Sequence, residues 1–160
     1  MARRPMTLGP QINSASISPF LGPEGASETF VDGAVLISDA NDSNRLAEGA
    51  ANPIDIMGIA ARAASTVTAT MIPYYPALPG VIFEGSVDDS NDLGNGIALA
   101  ANFGGQYGIT KDSAGFWYID KFKTGDNARV RILGFLRQVS IVSMSRLGVV
   151  VLSNSPNGST

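Results

Sequence analysis

A chain of 160 residues with 44% apolar residues is long enough to bury a core as one domain. It has no Cys and no His, which removes disulfides, thiolate chemistry, the commonest general base near neutral pH and the commonest transition-metal ligand. The net charge of −3 gives no overall basic face for nucleic acid, and 18 Gly with 9 Pro favour short strands and tight turns over long helices.

The charge is unevenly spread. Residues 24–110 hold 11 acidic groups against Arg45 and Arg62, net −9, whereas residues 111–160 are net +4 and the first 23 are +2. Two readings fit: mixing of these charges on one surface, or complementary faces that steer docking between copies or onto a lattice. No apolar run follows Arg3 and Arg4, so a secretory signal is not expected. No stretch reaches the ~18 apolar residues of a membrane span.

Residues 1–28 read as an extended arm. Pro5, Gly9, Pro10, Pro19, Gly22, Pro23 and Gly25 recur too often for a helix or central strand. Met6, Leu8, Ile12, Ile17, Phe20 and Leu21 are too apolar for a solvated tail. The arm either buries them on another surface or covers its own domain. A β-rich body is predicted over residues 29–152, with a C-terminal tail over 153–160 (SNSPNGST). Thr29 to Ile37 reads as strand material with Asp32-Gly33 as a turn or bulge. Ser38 to Asn44 is a polar loop, and Ile54 to Ala60 is a strand after the Asn52-Pro53 break. Thr66 to Ile72 alternates, is rich in β-branched residues, and predicts a strand. Pro73, Pro76, Pro79 and Gly80 then enclose Tyr74, Tyr75 and Leu78 in a stiff loop. Such rings held rigid dock at low entropic cost. Val81 to Val87 is another strand, and Leu93 to Asn102 could form a short helix that Gly94 and Gly96 weaken by ~1 kcal/mol each. No repeat of solenoid type is visible.

Catalytic and ligand motifs are poorly represented. Asp88, Ser90 and Asp92 occupy positions one, three and five of a calcium loop, but Leu93 and Leu99 stand where Gly and Glu are needed. Asp39, Asn41 and Ser43 fail the same test. Gly94-Asn95-Gly96 lacks the third glycine and the preceding strand of a dinucleotide loop. Asp88 and Asp89 are adjacent and point apart, unlike the opposed acids of a glycosidase. No Ser lies in a Gly-x-Ser-x-Gly elbow. No enzyme activity and no cofactor or metal is expected.

The most informative stretch is residues 105–135, GQYGITKDSAGFWYIDKFKTGDNARVRILGF. Tyr107 to Thr110 leads into a polar turn at Lys111 to Gly115, and Phe116 to Ile119 returns as an aromatic strand. Trp117 and Ile119 share one face, so Trp117 is either core or, on the other reading, a sugar-stacking platform. Arg129 to Leu136 alternates charged and branched apolar residues, and Arg146 to Leu152 (RLGVVVL) is the final strand. This order resembles the C-terminal half of the decoration, or cement, proteins of tailed-bacteriophage capsids. It matches their YGI/L…D-x-x-G-x-W-Y-I/V-D hairpin, RVxVxGF-type strand and final GRVLVxF-like strand. The likeness is good over 105–152, fainter over 29–104 and absent over 1–28.

The expectation is a mainly β chain: a small single-domain β-barrel, β-tulip-like domain or sandwich with at most one short helix behind the arm. The resemblance implies a homotrimer on the outer surface of a virion, made in the host bacterial cytoplasm. Its partner would be the major capsid protein, without nucleic acid, membrane or small-molecule substrate. Arg3, Arg4, Pro5, Met6, Leu8, Ile12, Phe20, Tyr74, Tyr75 and Leu78 are the candidate contact residues, the two arginines meeting carboxylates. A carbohydrate-binding or adhesion module of a virion or tail fibre, using the aromatic hairpin, is the alternative.

Overall fold

The computed structural model describes residues 6–8, 17–78, 81–88, 90, 103–134 and 146–152, with only the backbone at 8, 134 and 146–152. The described residues are mainly β. Strands β1 (Thr7–Leu8), β2 (Phe20–Pro23), β3 (Val35–Ser38), β4 (Leu46–Glu48), β5 (Ile56–Ala60) and β6 (Met71–Pro76) come first. They are followed by β7 (Ile82–Asp88), β8 (Gln106–Lys111), β9 (Trp117–Asp120), β10 (Val130–Gly134) and β11 (Arg146–Leu152). The one helical element among the described residues is a 3-10 turn at Gly125–Asn127. The predicted helix at Leu93 to Asn102 lies outside them.

Two sheets form. The N-terminal sheet has the order β2-β6-β5-β3-β4, with antiparallel neighbours, and a parallel bridge from Glu24 to Leu46 brings its first strand back to β4. The C-terminal sheet has the order β1-β7-β11-β10-β8-β9, and a parallel β7–β9 pairing curls it back on itself. Counted by chain order within β2–β6 and within β7–β11, each circuit runs first, fifth, fourth, second, third. In each the first and third strands make the only parallel contact. One winding is used twice in succession, and β1 is an addition to the second copy.

The two units share one core. Leu36, Ile59 and Ile72 of the first unit belong to the same buried cluster as Phe83, Ile109 and Ile119 of the second. Alternation explains the inward faces: in β6, Ile72, Tyr74 and Pro76 are buried, while Met71 is exposed and Pro73 and Tyr75 are half-buried. Hydrogen bonds cross the junction. Asn52 donates its N–H to Ile109 O at 2.8 Å and accepts the Ile109 N–H through Oδ1 at 3.2 Å. Arg129 Nε donates to Pro53 O at 2.8 Å. Glu48 accepts from Lys111 Nζ at 2.8 Å and from Trp117 Nε1 at 2.9 Å.

Several expectations change. The strand predicted over Thr66 to Ile72 instead begins at Met71, because Glu24 captures the preceding turn. Glu24 is fully buried and accepts Ser65 N–H at 2.9 Å, Ser65 Oγ–H at 2.6 Å and Thr66 N–H at 2.8 Å. The turn holds Thr66 at φ 66° and Ala69 at φ 65°, conformations that no strand contains. Tyr74 and Tyr75, expected in a loop, lie on β6. Pro73 is tolerated there because its carbonyl accepts the Ala61 N–H at 3.0 Å. Its nitrogen therefore faces the side where β5 has already ended, and no ladder donor is lost. Thr29 to Val31 is not a strand. Two pieces of the expected arm belong to the sheets: Thr7 and Leu8 pair with Glu84 and Phe83, and Phe20 to Pro23 pair with Tyr74 to Met71.

Candidate interface at the first unit's open seam

In the first unit, β2 is paired with β6 along its length, but its other edge meets β4 only at Glu24. The Glu24 N–H donates to Thr70 O on the β6 side, and the Gly25 N–H donates to Leu46 O on the β4 side, each at 2.8 Å. Strand alternation then directs the N–H and C=O of Leu21 toward the open edge, while Pro23 lies on the bridged stretch beside Leu46. Pro23 has no N–H to present, as befits an edge strand.

Beside that edge is a cleft of about 180 Å³, walled by Leu21, Gly22 and Pro23 on one side and Ser43 to Leu46 on the other, with Ser38, Met57 and Tyr74 completing it. Two of its lining residues are exposed and apolar, Leu21 at 62% and Met57 at 40%, and Phe20, on β2 beside them, is 51% exposed. The Phe20 ring meets the Tyr74 ring edge-on, with centroids 6.2 Å apart and planes at 79°. At the closed end of the seam are carboxylates. Asp39 Oδ2 and Glu28 Oε1 lie 2.9 and 3.2 Å from where a Cβ on Gly25 would sit. Arg45 is engaged with Asp42 at 3.1 Å.

The predicted contact residues divide as follows. Phe20 and Tyr74 come together at the cleft, Phe20 exposed and Tyr74 buried behind it. Tyr75 is half-buried and paired with Ile59 on the neighbouring strand, while Leu78 is exposed just past β6. Met6 is 1% exposed and sits in the chain's own core, so at that residue the arm covers its own domain. Leu8 is placed by its backbone pairing with Phe83. Arg3, Arg4, Pro5 and Ile12 lie outside the described residues. Met57 and Met71 were not predicted, and Leu21 was named only among the apolar residues of the arm. Their signal, an apolar residue at an outward strand position, needed the register of β2, β5 and β6 to be read.

Trp117 is 1% exposed, hydrogen-bonded to Glu48, with Lys111 Nζ 5.8 Å from its ring centroid, and Tyr118 is 3% exposed. The hairpin therefore offers neither ring as a stacking platform. Asp88 and Asp120 are buried and face each other across the parallel pair. Asp120 Oδ1 accepts the Ser90 and Phe122 N–H groups at 3.1 Å, while its Oδ2 has no hydrogen-bond partner among the described residues. Asp92 of the calcium-loop candidate lies outside the described residues. Among the described residues no three His, Cys, Asp or Glu side chains gather as a metal set would. Comparison with protein-family models, curated proteins and solved structures returned no match.

Proposed function

We propose that this chain is a structural protein of a tailed-bacteriophage virion: a decoration protein that binds the outside of an assembled capsid as a homotrimer and cements the major capsid protein lattice. The observation that carries the reading is the pair of exposed apolar residues Leu21 and Met57 lining a cleft at an open strand edge, with exposed Phe20 beside them. A rigid β body with such a cleft is suited to docking on another protein, and exposed apolar groups of this kind mark interaction surfaces. The hairpin, charged strand and final strand that resemble decoration proteins all belong to the second unit. The first unit's seam, which no strand among the described residues covers, is the part offered to a lattice.

The mechanism is linkage. A ligand that binds assembled shell and not free subunits stabilises the shell in proportion to its occupancy. Three copies on one trimer make each modest contact effectively intramolecular after the first. The carbohydrate-binding alternative would need an exposed aromatic platform, and Trp117 and Tyr118 do not supply one. The deciding experiment mixes the purified protein with expanded, undecorated heads and sediments them. The protein should pellet with the heads, saturate, and raise their melting temperature; a protein that stays wholly in the supernatant overturns the proposal.

A further inference from the structure

The duplicated winding makes the two seams comparable position by position. In the second unit, the parallel closure begins at Val87 opposite Ile119; in the first, it is Glu24 opposite Leu46. Two residues before each closure stands a glycine, Gly85 and Gly22. A Cβ on Gly85 would meet Met6 Cε at 3.0 Å and Ile119 Cδ1 at 3.5 Å; one on Gly22 would meet Leu46 side-chain atoms and Tyr74 Cε1. Each glycine thus admits the side chain of its closing partner. The second unit's seam is then completed by β1, which runs antiparallel to β7 and drops Met6 under Gly85. The first unit's seam has no such strand among the described residues, and the cleft lies there.

We infer that the cleft is a strand-acceptor site: it takes an extended segment of the partner protein, antiparallel to β2, as β7 takes β1. This deepens the docking role proposed above and rests on it for the natural partner. The chemistry of the segment follows from the walls. A volume of about 180 Å³ exceeds the roughly 150 Å³ of a cavity that admits benzene, so one large apolar side chain fits. Leu21 supplies a main-chain donor and acceptor, which is the kind of pairing such strand addition uses. In the antiparallel direction, the residues preceding the buried one arrive at Gly25, where Asp39 and Glu28 present carboxylates. The segment therefore carries basic residues shortly before alternating apolar ones. The chain's own Arg3-Arg4-Pro5-Met6-Thr7-Leu8 has that pattern, but its Met6 to Leu8 stretch is engaged on β7.

A peptide of residues 1–12, MARRPMTLGPQI with a fluorophore at its C-terminus, serves as the probe against the full-length protein. Anisotropy should report saturable binding that weakens with salt. Binding should fall by about tenfold or more for Leu21→Arg and for Met57→Arg, which line the cleft from different strands. Both side chains are exposed, so the variants should melt with the wild type, and either one alone suffices. Absence of saturable binding overturns the inference. So does undiminished binding to both variants, which would place the peptide on β7 by exchange with β1. If instead light scattering finds the wild type self-associated and Leu21→Arg monomeric, the seam belongs to a second copy and the assignment to a different protein is overturned. Heads that bind the protein while the peptide does not would remove the seam and leave the decoration role standing.

Discussion

At the scale of single residues, Glu24 has the clearest structural task. Its buried carboxylate accepts three hydrogen bonds from Ser65 and Thr66, its own N–H and C=O bind Thr70 and Ala69, and Gly25 next to it donates to Leu46 O. Replacing it by Ala strands two backbone donors in a turn that already holds Thr66 and Ala69 at positive φ. Hydrogen bonds to a charged acceptor are worth about 1.5–3 kcal/mol each, so Glu24→Ala should cost on the order of 3 kcal/mol. For a chain of this length the melting temperature should then fall by about 10 °C. A melt within a degree or two of wild type would show that the turn does not depend on this carboxylate. Glu24 was unreadable in the sequence because an acid beside Pro23 and Gly25 looks like a solvated loop charge. Its burial follows only from the parallel return to β4.

At the scale of elements, β1 is the most exposed to test. Met6 fills the space under Gly85 beside Ile119, so Met6→Ala opens a void in the shared core. Large-to-small changes of this kind cost about 2–5 kcal/mol, and the denaturant midpoint should fall with the slope unchanged. An unchanged midpoint would detach β1 from the body. Removing residues 1–23 would be a poor test of capsid contact, since it deletes both β1 and β2. Strands with a strong local signal were legible in the sequence: β8, β9, β10 and β11 lie where the hairpin, the charged strand and RLGVVVL put them. β5 and β7 were likewise marked by apolar runs between turn signals. β2 was hidden, since Phe20-Leu21-Gly22-Pro23 ends in two adjacent residues, Gly22 and Pro23, that disfavour a strand. The Thr66 to Thr70 strand was overcalled, since β-branched alternation cannot report that a distant carboxylate will seize the turn.

At the scale of the whole molecule, the two units should melt together. Their buried residues form one cluster, and the Glu48 contacts with Lys111 and Trp117 and the Asn52 contacts with Ile109 bind one to the other. Trp117 is the only tryptophan, lies in the second unit, and touches the first through Glu48. Its fluorescence and the far-ultraviolet circular dichroism should therefore follow one transition with one midpoint; separated midpoints would mean that the units fold independently. The duplication is faint in the sequence. Ile54-Asp55-Ile56-Met57-Gly58-Ile59 and Val130-Arg131-Ile132-Leu133-Gly134-Phe135 share an order of apolar, charged, apolar, apolar, Gly, apolar. So short a pattern gains meaning only once Ile56 to Ile59 and Val130 to Gly134 are seen to belong to the fourth strand of the same winding. The candidate site was less legible than the fold: Phe20 and Tyr74 were named, but the cleft between them and Met57 is made by register. Engaging β1 at home also limits how copies can be chained. A molecule with a vacant acceptor edge and a loose donor strand would add to its neighbour head to tail and grow into fibres. Here the donor is already committed within its own fold, so the edge can be answered by a different protein without seeding runaway polymerisation.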